Sequence, residues 1–273
     1  MASRQSLAQG PCVRSGDREI PTAVHRLPRV IVNADDFGKS AGINRGIIQA
    51  HEQGLVTSAS LMVWKAASET AARLALEHPR LGVGLHLDFG SWTLRDGQWV
   101  PVDTVVELGD AAVVRRELQR QLDRFTDLLR RPPSHLDSHQ HRHLEEPLRS
   151  LAGAMAADLQ IPLRQVSGPV HYCGLFFGMD EHGRAFPANI TPAALVRLLE
   201  NPPADFTEIA CHPAAAIDFV SLYAEQRLQE LQTLCDPQVR AAAARVHLCS
   251  FADLPAGALP APASPSTAFQ RGE

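Results

Sequence analysis

Histidine is the residue type whose number and spacing first suggest chemistry in this chain. Four of its 12 histidines fall within one nine-residue window. They are His135, His139, His141 and His143. If the segment is extended, all four share one face, and if it is helical, His139 and His143 lie one turn apart. Either geometry brings two imidazoles within reach of one ion, and imidazole is the commonest metal ligand in proteins. A solvated loop and a surface metal patch are the alternatives.

Further polar residues follow short apolar runs elsewhere in the chain. Asp35 and Asp36 follow VIVNA, His86 and Asp88 lie in GLHLD, and His212 follows FTEIAC. Because neighbours on a strand point to opposite faces, we expect different roles for the two aspartates. One would be a metal ligand, and the other would orient a water or take a proton. One carboxylate and two histidines from separate strand ends make a three-ligand site with open positions, which suits catalysis by a bound water.

Each of these residues also has a simpler interpretation. One aspartate could cap the following helix while the other is solvated, and His86 could be a hydrogen-bonded buried imidazole. Cys211 beside His212 suggests a cysteine nucleophile, but adjacent strand residues point apart and a nucleophile needs its base within hydrogen-bond reach. The sequence has no GxGxxG after a strand, no GxxxxGK[ST] and no GxSxG, which disfavours nucleotide binding and serine-hydrolase chemistry.

An alternation of strands and helices is expected to position these residues. Periodicity predicts strands at 29–34, 56–63, 82–87, 134–139, 161–166, 206–211 and 246–251. It predicts helices at 41–53, 66–77, 111–130, 147–159, 192–199 and 220–234, with long irregular segments at 90–109 and 167–190. Repeated strand–helix order implies a parallel sheet covered by helices, either open and doubly wound or closed as a barrel. Both architectures place functional sites at the carboxyl ends of the strands.

Composition limits the classes of function. The chain has 273 residues, of which 45% are hydrophobic and 21% charged, as in ordinary globular proteins. The net charge is −4 with no basic run, so a nucleic-acid partner is not expected. No apolar stretch approaches the roughly 18 residues of a membrane span. Five cysteines without a CxxC pair favour reduced thiols in the cytoplasm.

We expect a flexible leader at 1–28, a folded domain at 29–254 and a disordered Pro/Ala-rich tail at 255–273.

Four motifs, taken in order, resemble the YdjC-type carbohydrate deacetylases, a family that includes chitooligosaccharide and hopanoid-biosynthesis deacetylases. They are NADDFG from residue 33, GVGLHLD from residue 82, HLDSHQHRH from residue 135 and TEIACHP from residue 207. The resemblance covers about residues 29–254. It implies an α/β fold with a single (βα) barrel, distorted and TIM-like, related to polysaccharide deacetylases. It also implies metal-dependent removal of an acetyl group from an N-acetylated sugar.

The resemblance also implies roles for single residues. The family's metal site of one aspartate and two histidines falls on Asp36, His86 and His139. Asp35 takes the place of the general base, and His212 that of a catalytic acid or a group that stabilises the transition state. Weaker candidates for contacts to the substrate or to the ligands are His141, His143, Arg164, Asp88 and Trp92.

The working hypothesis is amide hydrolysis by a metal-bound water, which releases acetate. Asp35 would deprotonate the water and His212 would protonate the departing amine. The expected cofactor is one divalent ion, zinc or magnesium, because two imidazoles favour zinc while a carboxylate with waters also tolerates magnesium. The expected partner is an N-acetylated sugar, and a homodimer is one candidate assembly. The alternatives are a metal amidase or esterase for another acylated substrate and a non-catalytic metal- or sugar-binding protein.

Overall fold

A parallel β-sheet forms the centre of the computed structural model, which describes residues 26–95, 98–103, 106–180 and 182–254. The strands are β1 (Arg29–Phe37), β2 (Ser58–Leu61), β3 (Gly82–Leu87), β4 (Ser91–Arg95), β5 (Gln98–Asp103), β6 (Leu136–Ser138), β7 (His171–Cys173), β8 (Phe206–Cys211) and β9 (His247–Leu248). The α-helices are α1 (Ala41–Gln53), α2 (Ser68–Glu77), α3 (Ala111–Leu129), α4 (Leu148–Leu159), α5 (Pro192–Glu200), α6 (Ala224–Leu234) and α7 (Pro237–Ala242). Four short 3-10 helices cover His139–Leu144, Pro187–Ile190, Ala243–Arg245 and Phe251–Asp253.

The strand order is that of a barrel. The main sheet runs β6-β3-β2-β1-β8-β7, and every pair in it is parallel. Read from β1 through β2, β3 and β6, and then from β7 to β8, the strands occur in chain order, as they do around a (βα) barrel. Within the described residues β6 and β7 are the two edges of the curled sheet and do not pair with each other. At the β6 edge, Leu136 makes a single parallel bridge to Leu163. The expected single, distorted (βα) barrel is therefore confirmed, and the doubly wound alternative is wrong.

The burial of β1 agrees with its position in the interior of the sheet. Its residues from Val30 to Phe37 are all buried, as is usual for a parallel strand covered on both faces. On α1, Ile43 and Ile47 lie one turn apart and are fully buried. Ser40 caps this helix by accepting a hydrogen bond from the Ile43 N–H at 3.2 Å, as the sequence predicts. The cap starts α1 three residues after β1 ends, so the two acids of β1 stay at the carboxyl edge of the sheet.

Several predicted elements differ from the structure. The predicted strand at 161–166 is reduced to the Leu163 bridge, since Gln165 adopts a left-handed φ of 59° that ends extended pairing. The irregular segment 90–109 contains the antiparallel hairpin of β4 and β5, and 167–190 contains β7. The last predicted strand is only two residues long, and α7, which Asp236 caps, was not predicted.

The histidine-rich segment adopts neither predicted conformation. Extended structure ends with β6 at Ser138, and the chain continues as the 3-10 segment His139–Leu144. Gln140 and His141 have φ of 52° and 55°, which breaks both a strand and a regular α-helix. The four imidazoles therefore point to different surroundings.

The expected ends of the chain fall mostly outside the described residues. Only 26–28 of the predicted leader at 1–28 are described, and the predicted tail at 255–273 is not. Among the described helices, none combines the length and the apolarity that crossing a membrane requires.

Candidate metal and catalytic centre

A β-bulge brings the two aspartates of β1 to one site. Between Ala34 and Phe37, β1 carries one residue more than β2 over the same stretch of pairing. Asp36 occupies the bulge with a left-handed φ of 68°. Both carboxylates consequently reach within 4.8 Å of a His86 ring nitrogen, whereas regular alternation would send them to opposite faces. The sequence-based expectation of opposite faces is wrong here, although the two carboxylates do meet different partners.

Asp36, His86 and His139 form a group that could hold a metal ion, with one ligand atom from each lying within 4.8 Å of the others. The Asp36 Oδ1 atom lies 3.0 Å from His139 Nδ1 and 3.7 Å from His86 Nε2. This oxygen is buried and forms no hydrogen bond within the described part of the chain. A buried carboxylate oxygen without a hydrogen bond is costly unless nearby positive charge satisfies it. One carboxylate and two imidazoles are a usual donor set for a catalytic divalent ion, so these residues fit the expected metal.

A second group, formed by Asp35, His86 and Asp137, meets the same distance criterion. Here, however, both carboxylates already bind the guanidinium of Arg164, at 2.7 Å from Asp35 and 2.8 Å from Asp137. An ion would have to compete with this buried cation for both acids. The group that contains Asp36 is therefore the better candidate.

Cations surround the Asp36 carboxylate. Arg227, from α6, donates to Oδ2, and the Lys39 ammonium lies 3.6 Å from Oδ1. Burial raises the pKa of Asp36, but the charges of Lys39 and Arg227 outweigh burial and hold this pKa well below its usual value. Burial and the nearby Lys39 lower the pKa of His139. Asp36 is thus ionised and His139 neutral at neutral pH, which are the forms that bind metal.

Asp137 fixes the ring of His86. The His86 Nδ1 atom lies 2.7 Å from Asp137 Oδ1, which leaves Nε2 directed at Asp36. Burial opposes charging of this imidazole, but Asp137 outweighs burial and raises the pKa of His86 to about 9. A carboxylate that holds the second nitrogen of a metal-binding histidine sets its ring orientation and increases its basicity. Ser60 donates a hydrogen bond of 2.6 Å to the other oxygen of Asp137.

Arg164 holds Asp35 through both oxygens. The two hydrogen bonds, from Nη1 to Oδ2 and from Nη2 to Oδ1, are 2.8 and 2.7 Å long. Asn33 donates a third bond, of 3.0 Å, to Oδ1. Burial raises the pKa of Asp35, but the Arg164 guanidinium outweighs burial and keeps this pKa below its usual value. Arg164 also binds Glu208, the pKa of which burial raises to about 7.

His212 follows β8 and faces Asp35, with its Nε2 atom 3.9 Å from Asp35 Oδ2. The backbone N–H of His212 donates to Glu230 on α6, which also accepts from the Tyr223 hydroxyl. The His212 Nδ1 atom lies 3.9 Å from the same carboxyl. Burial lowers the pKa of His212 to about 3 and raises that of Glu230 to about 8. At neutral pH both groups are therefore largely uncharged.

The other histidines of the cluster have separate partners. His141 Nε2 lies 3.2 Å from the Tyr172 hydroxyl. His143 is buried and bridges Ser138 Oγ, at 2.7 Å, and the backbone oxygen of Arg164, at 3.0 Å. His135 stacks on Phe251 with ring centroids 3.9 Å apart. His139 is thus the cluster histidine that lies within 4.8 Å of both Asp36 and His86.

Asp88 and Trp92 flank the centre. Asp88 is paired with Lys65, with 2.8 Å between the carboxylate and the ammonium. Trp92 lies on β4, in the hairpin of β4 and β5, and its backbone exchanges two hydrogen bonds, of 2.8 and 2.9 Å, with the Gln140 side chain. The Arg142 guanidinium lies 4.2 Å from the centroid of the Trp92 ring. The hairpin is thereby tied to the residue that follows His139.

Four charged residues of this centre have no role predicted from the sequence. They are Lys39, Asp137, Arg227 and Glu230. For the two on α6 a signal exists, because Arg227 and Glu230 share the i, i+3, i+4, i+7 face of this helix with Leu231 and Leu234, and all four are buried. Charged residues on the apolar face of a helix need partners, and here the partners are Asp36 and the backbone of His212.

Comparison with known proteins identifies the family of this chain. The family model of YdjC-like proteins matches residues 29–245. A carbohydrate deacetylase from Geobacillus stearothermophilus is 34% identical over 228 residues, covering 77% of this chain and 91% of the relative. A chitooligosaccharide deacetylase from Serratia marcescens is 33% identical over 258 residues, covering 82% of this chain and 98% of the relative.

A solved structure supports the fold. It is that of a candidate cellobiose-phosphate cleavage protein from Enterococcus faecalis V583, with a TM-score of 0.64 and 24% sequence identity. The match covers 82% of this chain and 98% of that protein. Since the family model spans well over half of the sequence and relatives one-third identical extend along most of it, the chain belongs to the YdjC-like protein family.

Proposed function

We propose that this protein is a metal-dependent carbohydrate deacetylase that hydrolyses the acetamido group of an N-acetylated sugar and releases acetate. The observation that carries the proposal is the convergence of Asp36, His86 and His139 within 4.8 Å of one another around a buried carboxylate oxygen. Membership of the YdjC-like family supports it, as does the similarity to relatives named carbohydrate deacetylase and chitooligosaccharide deacetylase.

Asp36, His86 and His139 would hold one divalent ion, zinc or magnesium. Bound there, the ion would supply Lewis-acid chemistry, making a water more acidic and stabilising negative charge on the acetyl oxygen. Asp137 orients His86 through the 2.7 Å contact to Nδ1, and Arg227 holds Asp36 through Oδ2, the oxygen other than the one that His139 contacts. These contacts pre-organise the ligands.

Asp35 is the general base of this proposal. Its lowered pKa keeps the carboxylate ionised at neutral pH, as a group that accepts the proton of the attacking water must be. The bidentate contact with Arg164 fixes the orientation of the carboxylate and stabilises its charge. Asp35 therefore acts as the base and Asp36 as a metal ligand, although the two are neighbours in sequence.

His212 is the proton donor to the leaving amine. Because its imidazole is neutral at rest, it must first receive a proton, and Asp35 lies 3.9 Å away as the source. When the C–N bond of the amide breaks, this proton goes to the sugar nitrogen and the acetyl group leaves as acetate. Phe177 and Tyr223 flank the imidazole, with ring centroids 5.4 and 5.6 Å from it, and limit its movement.

Aromatic and polar groups beside the centre suit a sugar. Tyr172 with His141, and Trp92 with Arg142, offer ring faces and hydrogen-bonding groups next to the His139 segment. Sugar rings have apolar faces that pack on aromatic side chains, and their hydroxyl groups need polar partners.

We assign the whole activity to one domain at 29–254. The free thiols of the described cysteines support a cytoplasmic location.

The test is acetate release from N-acetylated mono- and oligosaccharides, with and without a chelator. Acetate from these substrates that disappears with chelator and returns with Zn²⁺ or Mg²⁺ is the expected result. O-acetylated sugars and acetylated peptides serve as comparison substrates, and the Asp36→Asn variant serves as the inactive control. Release from the esters or peptides alone would replace the proposal by another metal hydrolase. Bound metal and sugar without any acetate would indicate a binding protein.

A further inference from the structure

A lysine ammonium lies inside the candidate metal centre. The Lys39 Nζ atom is 3.6 Å from Asp36 Oδ1 and 3.4 Å from His139 Nε2. Asp36 and His139 are two of the three proposed ligands of the ion. Lys39 therefore faces the same carboxylate oxygen that the ion would bind, from the side of His139.

The two cations on Asp36 are not equivalent with respect to an ion. Arg227 donates to Oδ2, whereas His139 and His86 contact Oδ1, so the Arg227 contact is compatible with an ion on Oδ1. Lys39 lies against Oδ1, at a distance similar to that of His86 Nε2, which is 3.7 Å from this atom. Two positive charges cannot share one carboxylate oxygen without strong repulsion at such short range.

Of the nearby carboxylates, Asp36 attracts the ammonium most strongly and Asp88 attracts it more weakly. Lys39 directly precedes Ser40, the N-cap of α1, and the partial positive charge of a helix N-terminus disfavours a cation there. The first turn of α1 carries no acidic residue, and the carboxylate at this helix end, Asp218, accepts a hydrogen bond of 2.7 Å from the Gly42 N–H. The Phe219 ring, with its centroid 5.8 Å from Nζ, adds a weak attraction only. Asp36 is thus the main anionic partner of Lys39, and an ion on Oδ1 removes much of that attraction.

We propose that Lys39 is an internal cation that competes with the divalent ion for Asp36 Oδ1 and weakens the binding of that ion. In the ion-free protein the ammonium neutralises Asp36. When the ion binds, the ammonium moves off Oδ1 along the path left by its partly exposed side chain, which is 22% accessible. The free energy needed to displace the ammonium reduces the net free energy of metal binding. Lys39 therefore raises the dissociation constant of the ion and keeps its binding reversible.

The experiment measures the dissociation constant of Zn²⁺ by competition with a chromophoric chelator, using the full chain. The test variants are Lys39→Met and Lys39→Gln, two neutral side chains of different polarity, each checked for folding by circular dichroism. Lys65→Met is the matched control, since Lys65 is 20% accessible, contacts Asp88 and carries the same charge. Asp36→Asn reports whether Zn²⁺ binds at this centre.

Both Lys39 variants are expected to bind Zn²⁺ about tenfold or more tightly than the wild type, while Lys65→Met changes the affinity by less than about threefold. The inference rests on the proposed metal site, and the two fail differently. Unchanged or weaker binding by the Lys39 variants, with binding lost in Asp36→Asn, would overturn the role of Lys39 alone. Wild-type affinity in Asp36→Asn would overturn the metal site itself and the inference with it.

Discussion

Arg164 and Asp35 form a buried bidentate ion pair at the carboxyl edge of the sheet, with hydrogen bonds of 2.8 and 2.7 Å. The same guanidinium lies 2.8 Å from Asp137, the carboxylate that orients His86. The buried Arg164 guanidinium therefore contacts both Asp35, the proposed base, and Asp137, which orients a proposed metal ligand. The neighbouring acids of β1 thus pair with different cations. Asp35 pairs with Arg164, whereas Asp36 contacts Arg227 and Lys39.

The two aspartates should respond differently to removal of charge. Asp36→Asn loses a proposed ligand, so its affinity for Zn²⁺ should fall at least about 100-fold, with activity lost as well. Asp35→Asn should bind Zn²⁺ within a few-fold of the wild type while its kcat falls about 10²- to 10⁴-fold, the usual contribution of a general base. Chelator competition and acetate release measure the two properties separately. Loss of metal in Asp35→Asn with metal retained in Asp36→Asn would reverse the roles.

Arg164→Lys tests the bidentate contact. Lysine keeps the positive charge but cannot present two parallel donors to one carboxylate. We expect kcat to fall about tenfold or more, and the free energy of unfolding to fall by about 2 kcal/mol as charged hydrogen bonds are lost. Urea unfolding and steady-state kinetics measure these effects. The control is Arg184→Lys at an exposed pair with Asp180, where a change below about 0.5 kcal/mol is expected. Wild-type kcat in Arg164→Lys would argue against the contact.

The local features of this fold were predictable from sequence, and its long-range contacts were not. Ser40 and the helix it caps follow from periodicity and capping preference, which depend on a few neighbouring residues. The bulge at Asp36 depends on pairing with β2, more than 20 residues away, and so left no signal that alternation could reveal. The pairing of Asp36 with Arg227 spans 191 residues, a separation at which the sequence alone gives no partner.

In the candidate site, too, local features were predictable from sequence and long-range contacts were not. Residues at strand ends, such as His86 and His212, could be singled out because the carboxyl edge of a parallel sheet collects functional groups. Which histidine of the cluster joins them could not be derived from spacing, because the positive φ angles at Gln140 and His141 redirect the chain after His139. Family resemblance supplied that choice, and the structure places His139 beside Asp36.

Two histidines of the cluster should separate metal binding from stability. His139→Ala removes a proposed ligand, so the affinity for Zn²⁺ should fall at least about tenfold, while the partly accessible position limits the loss of stability. His143→Ala removes the imidazole that bridges Ser138 Oγ and the Arg164 carbonyl, although the backbone N–H of residue 143 can still donate to Ser138 Oγ, so the free energy of unfolding should fall by about 1–3 kcal/mol. The folded His143→Ala protein should still bind Zn²⁺.

Each of these variants is the control for the other. Zn²⁺ competition on the folded proteins and urea unfolding of the ion-free proteins give the two quantities. If His143→Ala lost the metal and His139→Ala kept it, the ligand would be His143, and the 2.7 Å contact of its ring with Ser138 would have to break on metal binding.

Glu230 should make the stability of the ion-free protein depend on pH. Burial raises its pKa from 4.5 to about 8, so the folded state holds a proton on this carboxyl that the unfolded state releases. The contribution of Glu230 is fully present below about pH 4.5. It declines as the pH rises and is lost above about pH 8, because the unfolded state binds fewer protons throughout that interval.

Glu230→Gln removes the titration but can keep the contacts. A glutamine can still accept from the His212 N–H and place its amide against the Tyr223 hydroxyl, which are the two groups that bind Glu230. Relative to the wild type, the stability of the variant should therefore rise steadily between pH 5 and pH 8, as urea unfolding at several pH values would measure. Glu208, with its pKa raised to about 7, titrates in both proteins and cancels in the difference. A difference that stays constant across this interval would mean that Glu230 is ionised in the folded protein, with its charge directed at His212.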